Sequence, residues 1–348
     1  MAVVAEADRD VTLMARETSE GPLAVSRMLA RNRETLSRVG ERLRSRPPAI
    51  VVTCARGSSD NAATYAKYLI ETMTGTPTAS AAPSIASLYD APVITRGERL
   101  CLAISQSGKS PDLLRTVERE KEAGAYVVAL VNVEGSPLAE LADAVIALEA
   151  GPERSVAATK SFICSLAAVA ALVAEWSADA VLAEAVGNLP QKLKMALRCD
   201  WSAAYESLRG ADNLFAIARG YGLAVAQEAA LKFKETCALH AECFSAAEVR
   251  HGPMAIVGTG FRVFAFAGEG LAGESVRETV EDFRSRGAEV WLADTVAEDG
   301  VLPAVAGHPA IEPIVMIQSF YRLANAVALA RGCDPDSPPH LRKVTETL

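Results

Sequence analysis

The chain has 348 residues, half of them hydrophobic, and a formal net charge of −8. That length can bury two cores of ordinary domain size, while the acidic balance argues against a nucleic-acid backbone as the main partner. Seven cysteines, with no Cys-x-x-Cys spacing, lie mostly in apolar runs and read as reduced packing residues of a cytoplasmic protein.

Residues 1–45 read as amphipathic helix, with Leu13, Met14, Leu23, Met28, Leu29 and Leu36 set among charges. Acids at Glu6, Asp8 and Asp10, with no apolar h-region, argue against a signal peptide. Residues 48–54 form a strand, and Ala55-Arg56-Gly57-Ser58-Ser59-Asp60 turns into a helix that ends near Met73. The stretch 99–112 then places an apolar strand, 100–104, before Ser105-Gln106-Ser107-Gly108-Lys109-Ser110. Ser110 is a natural N-cap, Pro111 suits the first helical position, and Asp112 complements the positive helix end. Hydroxyls from Ser105, Ser107 and Ser110 beside unpaired helix-start N–H groups make a site for one phosphate. A nucleotide-binding P-loop is a poorer fit to Gly108-Lys109-Ser110, because Ala103 stands where that pattern needs its first glycine.

Strands follow at 126–132 and 144–148, then a loop over 150–160. The run 163–176 is interrupted by Ser165 and Glu175, is too short to span a bilayer, and reads as a buried helix.

The second half repeats the plan at a constant offset of 163. Ala55-Arg56-Gly57 recurs as Ala218-Arg219-Gly220, Arg99 as Arg262, Thr116-Val117-Glu118 as Thr279-Val280-Glu281, and Gly124-Ala125 as Gly287-Ala288. Two copies of one α/β unit follow, each a parallel sheet flanked by helices, with a boundary in 189–203. The phosphate turn is not duplicated, since Ser105-Gln106-Ser107 corresponds to Gly268-Glu269-Gly270. In open sheets ligands sit beyond the carboxyl ends of strands, which is where Ser58, Ser59 and the 105–110 turn fall.

In the second copy Glu228, Lys232 and Glu235 share one face of an otherwise apolar helix. Such a stripe beside a pocket can move protons, and on a surface it is an ordinary ion-pair ladder. Downstream, Leu239-His240-Ala-Glu242 and Glu248-Val-Arg-His251-Gly-Pro form a second polar cluster without metal-ligand spacing, so no metal is expected. His251 stands at an element's end, able to act as acid or base near neutral pH. The tail, 338–348, carries Arg342 and Lys343. A basic terminus is ordinarily solvated, but a lysine folded over a pocket can engage a carbonyl sugar.

Together these motifs resemble the sugar isomerase (SIS) family. The likeness is to the branch formed by the isomerase half of glutamine–fructose-6-phosphate aminotransferase and stand-alone SIS-type glucosamine-6-phosphate deaminases. Arg56–Ser59, Ser105–Gly108, Val156–Lys160, the helix bearing Glu228 to Glu235, and Glu248–Pro253 carry it. The resemblance implies two tandem doubly wound parallel-sheet domains, with a helical segment 1–42, domains at 43–188 and 204–337, and a tail 338–348 over the active site. It implies that Gly57, Ser58, Ser59, Ser105, Gln106, Ser107 and Ser110 hold the phosphate and sugar hydroxyls. The backbone at Val156 and Ala157 would contact the sugar or its amino group. Glu235 would carry the proton between C1 and C2 with Glu228 and Lys232 supporting it, His251 of a neighbouring subunit would open the ring, and Lys343 would engage the open-chain carbonyl. Ala158 and Arg342 depart from the pattern of the synthase, where serine and a small residue are usual.

Fewer than fifty residues precede the first strand, so no glutaminase is expected. The expectation is a cytoplasmic, homodimeric glucosamine-6-phosphate deaminase with no cofactor, no nucleic-acid partner and no membrane contact. Ammonia-dependent synthesis, a fructosamine-6-phosphate deglycase, a galactosamine-6-phosphate deaminase and a non-enzymatic sugar-phosphate sensor stay open as alternatives.

Overall fold

Every second residue of the apolar runs faces one side, and both sides are buried, which is what a parallel sheet covered by helices requires. The computed structural model describes residues 11–89, 91–93 and 97–343. The acids at 6, 8 and 10 and residues 344–348 of the tail lie outside the described residues. The first sheet contains β1 (Ile50–Cys54), β2 (Thr78–Ser80), β3 (Arg99–Ser105), β4 (Tyr126–Val131) and β5 (Ala144–Ala147). The second contains β6 (Asn213–Ala218), β7 (His240–Ser245), β8 (Arg262–Ala267), β9 (Glu289–Asp294) and β10 (Val301–Pro303).

Strand order is β2-β1-β3-β4-β5 in the first and, read in the same sense, β7-β6-β8-β9-β10 in the second, with parallel pairing throughout. Adding 163 to the first residues of β1, β3 and β4 (50, 99 and 126) gives the first residues of β6, β8 and β9 (213, 262 and 289). The chain is therefore a duplication of one doubly wound unit. In each copy the strand order reverses between two central neighbours, β1 and β3 or β6 and β8. Their carboxyl ends leave the crevice where such sheets take ligands.

The outer face of the first sheet, with Val52, Cys54, Cys101 and Ala103, packs with Leu113 and Val117 of the helix Pro111–Glu122. Its counterpart packs Ile217, Val263 and Ala265 with Val276, Val280 and Phe283 of the helix Gly270–Ser285. The inner faces share a single core that runs across both copies, from Leu102 and Ile104 through Phe162 and Leu166 to Phe233, Phe264 and Phe320. The helix Lys160–Ser177 is apolar all round and sits in this core, as expected for its composition. It and Glu312–Ala330 are long and apolar enough to cross a membrane, but 89% and 72% of their apolar windows are buried inside the protein. The expected divisions at 42/43 and 188 fall inside the helices Gly21–Ser45 and Ala180–Ala196, which pack on this core.

Candidate active site

Four segments meet at the carboxyl ends of β1 and β3 around a cavity of about 530 Å³: Arg56–Ser59, Ile104–Ser110, the loop at Val156 and Ala158, and the tail at Leu341–Lys343. Glu235 of the second copy completes the wall. A drug-sized ligand occupies a volume of this order.

The turn after β3 is built by its own hydroxyls. Ser105 Oγ accepts the Gly108 N–H at 3.0 Å, and Ser107 Oγ accepts that of Lys109 at 3.4 Å. Gly108 has φ +64°, and a Cβ there would stand 2.3 Å from the buried Ser136 Oγ, so the turn can close only on glycine. Ser110 occupies the N-cap position, yet its hydroxyl makes no cap hydrogen bond and lines the cavity instead. Asp112 takes the Leu113 N–H at 2.8 Å and pairs with Arg56, whose Nε lies 2.9 Å away. That pair ties the loop after β1 to the loop after β3.

The stripe on the helix Leu223–Cys237 faces this cavity edge on. Lys232 is fully buried, 3.1 Å from Glu228 and 2.5 Å from Glu235. Burial alone would depress its ammonium, but the two carboxylates outweigh it and hold the group above its usual range. Glu228 is also fully buried, and desolvation pushes its carboxyl up. Its oxygens accept from Ser58 Oγ (3.0 Å), Asn61 Nδ2 (2.9 Å) and Tyr321 Oη (3.1 Å). Only Glu235, with 23% of its side chain exposed, reaches the cavity. Glu228 and Lys232 are thus positioning residues beneath it. Ser58, expected to bind substrate, both lines the cavity and accepts from Lys232 Nζ at 3.1 Å, joining the two copies.

Of the other expected residues, Gly57, Ser59, Ser105, Gln106, Ser107, Ser110, Val156 and Lys343 line the cavity. Ala157 is buried and does not; its neighbour Ala158 does. His251 is exposed and absent from the lining. His240 and Glu242 belong to the edge strand β7, where alternation turns both outward and Ala241 inward. Asn61, Tyr321 and a buried Glu153 beside Lys343 carry no periodic signal in the sequence.

The equivalent turn of the second copy lines a smaller cavity of about 230 Å³, but a carboxylate of the protein itself sits on its backbone. The Glu312 carboxylate, 1% exposed, accepts the N–H of Glu269 at 2.8 Å and of Gly307 at 2.9 Å. A Cβ on Gly268, the counterpart of Ser105, would stand 2.4 Å from Glu312 Oε2. Loss of the hydroxyls and arrival of an internal carboxylate are one change, and of the two turns only that of the first copy keeps hydroxyls for an anion.

The SIS domain model matches residues 48–175 and 207–299. The chain belongs to the SIS domain family. Glutamine–fructose-6-phosphate aminotransferase of Thermococcus kodakarensis is 32% identical over 95% of this chain, which spans 57% of that enzyme. The chain thus covers little more than half the length of such curated relatives. A Silicibacter pomeroyi protein proposed to be a phosphosugar isomerase is 45% identical, covering 94% of this chain and all of its own, with a TM-score of 0.88. The C-terminal domain of glucosamine-fructose-6-phosphate aminotransferase from Francisella tularensis is 26% identical at a TM-score of 0.84, over 95% of this SIS chain and 99% of its own.

Proposed function

We propose that this SIS protein converts glucosamine 6-phosphate and water to fructose 6-phosphate and ammonia. The observation that carries the reading is the cavity itself, where a hydroxyl-lined turn faces Glu235 across a span walled by Lys343. The phosphate docks on Ser105, Ser107 and Ser110, with the N-terminal end of the helix Pro111–Glu122 behind them. Glu235 takes the C2 proton of the open-chain aldehyde and returns it to C1. In that transfer the aldehyde oxygen gains a proton and the C2 nitrogen gives one up, leaving a C2 imine; water adds to C2, and ammonia leaves. Lys343 engages the carbonyl end. No step needs a metal, nucleotide or redox cofactor. Run in the opposite sense, from C1 to C2, the same proton shuttle would turn a fructosamine 6-phosphate into a C1 imine that water hydrolyses, so the position of the nitrogen is settled by assay.

The test is release of ammonia from glucosamine 6-phosphate and galactosamine 6-phosphate beside release of lysine from a glycated lysine 6-phosphate. Preference for the first supports the reading; lysine release from the glycated compound, with no ammonia from either amino sugar, replaces it with a deglycase. Ser107→Ala is expected to weaken fructose 6-phosphate binding by about 1–3 kcal/mol, since a polar partner loses its match. Isothermal titration measures it, and unchanged affinity removes Ser107 from the phosphate site.

His251 is exposed and does not line this cavity in its own chain, so we place His251 of the partner subunit there to open the ring. Glu235→Gln and His251→Asn proteins, each inactive alone, are then expected to recover activity when mixed subunits reassociate. An active monomer, or no recovery in proven mixed dimers, rejects the shared site.

A further inference from the structure

Glu153 has a fully buried side chain at the foot of the loop that supplies Val156 and Ala158 to the cavity. Its carboxylate accepts the N–H groups of Thr159 (3.0 Å) and Ser161 (3.1 Å) and the Ser161 hydroxyl (2.5 Å). Lys343 Nζ adds an ion pair at 3.2 Å and donates to the Ser155 carbonyl at 2.8 Å. Burial works against the charged carboxylate, and Lys343, followed by the three donors, outweighs it and holds the carboxyl below its usual range. Because those donors belong to its own loop and the helix start after it, the carboxylate is a fixed anchor for the tail. Lys343 reaches it from the C-terminal segment, 190 residues away in sequence.

A second buried acid supports the same loop from behind. Glu17, on the helix Leu13–Ser19, accepts the backbone N–H groups of Arg154 and Ser155. That helix is in turn capped by Asp336, which takes the Leu13 and Met14 N–H groups at 2.7 Å each, and the Asp336 carbonyl accepts the Val156 N–H at 3.0 Å. The N-terminal helix therefore joins the cavity loop to the root of the tail.

We propose that Glu153 is a positioning residue that latches the C-terminal segment across the cavity through Lys343, with Glu17 bracing the loop that carries it. The ammonium is kept at the cavity wall, and Leu341 and Arg342 are drawn over the opening with it. The meeting of Lys343 with a substrate carbonyl rests on the reaction proposed above. The latch does not, and it is read without turnover.

The experiment is native-state trypsin digestion of the full chain, following removal of residues 343–348 by intact mass. Cleavage of a folded protein tracks the population of the opened form. Glu153→Gln is expected to speed cleavage after Arg342 by about tenfold or more, Lys343→Met to do the same, and Glu17→Gln to do so less. In the deaminase assay Glu153→Gln is expected to lower kcat with little change in KM, because the phosphate turn is untouched. Equal cleavage rates in wild type and folded Glu153→Gln overturn the latch whatever the assay shows. If Glu153→Gln does not fold, Lys343→Met decides by the same readout. Faster cleavage with no activity on any amino-sugar phosphate keeps the latch and rejects the reaction.

Discussion

Glu235→Gln is expected to lower turnover of glucosamine 6-phosphate by about 10²–10⁴-fold, the usual contribution of a positioned acid–base group. The substitution is isosteric, and its amide oxygen can still accept from Lys232, 2.5 Å away in the wild type. The buried network below is then kept, and only the capacity to carry a proton is lost. Binding of fructose 6-phosphate is expected to persist, because the 105–110 turn lies in the other copy. A half-reaction isolates the step: wild type exchanges a C1 hydrogen of fructose 6-phosphate with deuterium from solvent when ammonia is present, and the variant does not. Near-normal exchange in the variant gives the proton transfer to another group.

Duplication was legible because it is written at positions where the backbone tolerates little. Gly124 and Gly287 hold φ of +86° and +82° at matching places, and Arg99 and Arg262 each open a central strand. The edge strands β2 and β10 have three residues each, too few for a period to show. The anion turn and the Glu228–Lys232–Glu235 stripe were readable because their spacing alone puts them on one turn and one helix face. Glu17, Glu153 and Glu312 were not. Each is a carboxylate that takes backbone N–H groups outside any helical or strand period, Glu17 from the loop at 154–155, Glu312 from Gly307 and Glu269, and Glu153 from Thr159 and Ser161. No spacing distinguishes such an acid from a solvated one. Asn61 and Tyr321 escaped for a related reason: Asn61 meets Glu228 only after the two copies have docked, and Tyr321, 93 residues on, only after its helix has packed on that of Glu228. Ser110 shows the opposite case, a residue in the expected position whose hydroxyl serves the cavity rather than the helix.

Lys232→Met is expected to destabilise the protein by about 3–5 kcal/mol, the cost of removing one partner from a buried ion pair. Methionine matches the length of the lysine stem, so the loss is chiefly electrostatic. Glu228 would be left buried with Ser58, Asn61 and Tyr321 as donors but no cation, and Glu235 would lose its support. The Glu228 carboxyl, raised by desolvation even in the wild type, would rise further. A carboxyl whose folded pKa exceeds its unfolded value binds protons more tightly when folded. Stability therefore falls as pH climbs from the unfolded value toward the folded one, and stays low above it. The deficit of Lys232→Met relative to wild type is accordingly expected to be largest near pH 8 and smaller near pH 5, measured by urea denaturation. Glu228→Gln combined with Lys232→Met removes the stranded charge and should recover much of the loss. A pH-independent deficit that the double variant does not relieve would assign the effect to packing and leave the buried pair without an electrostatic role.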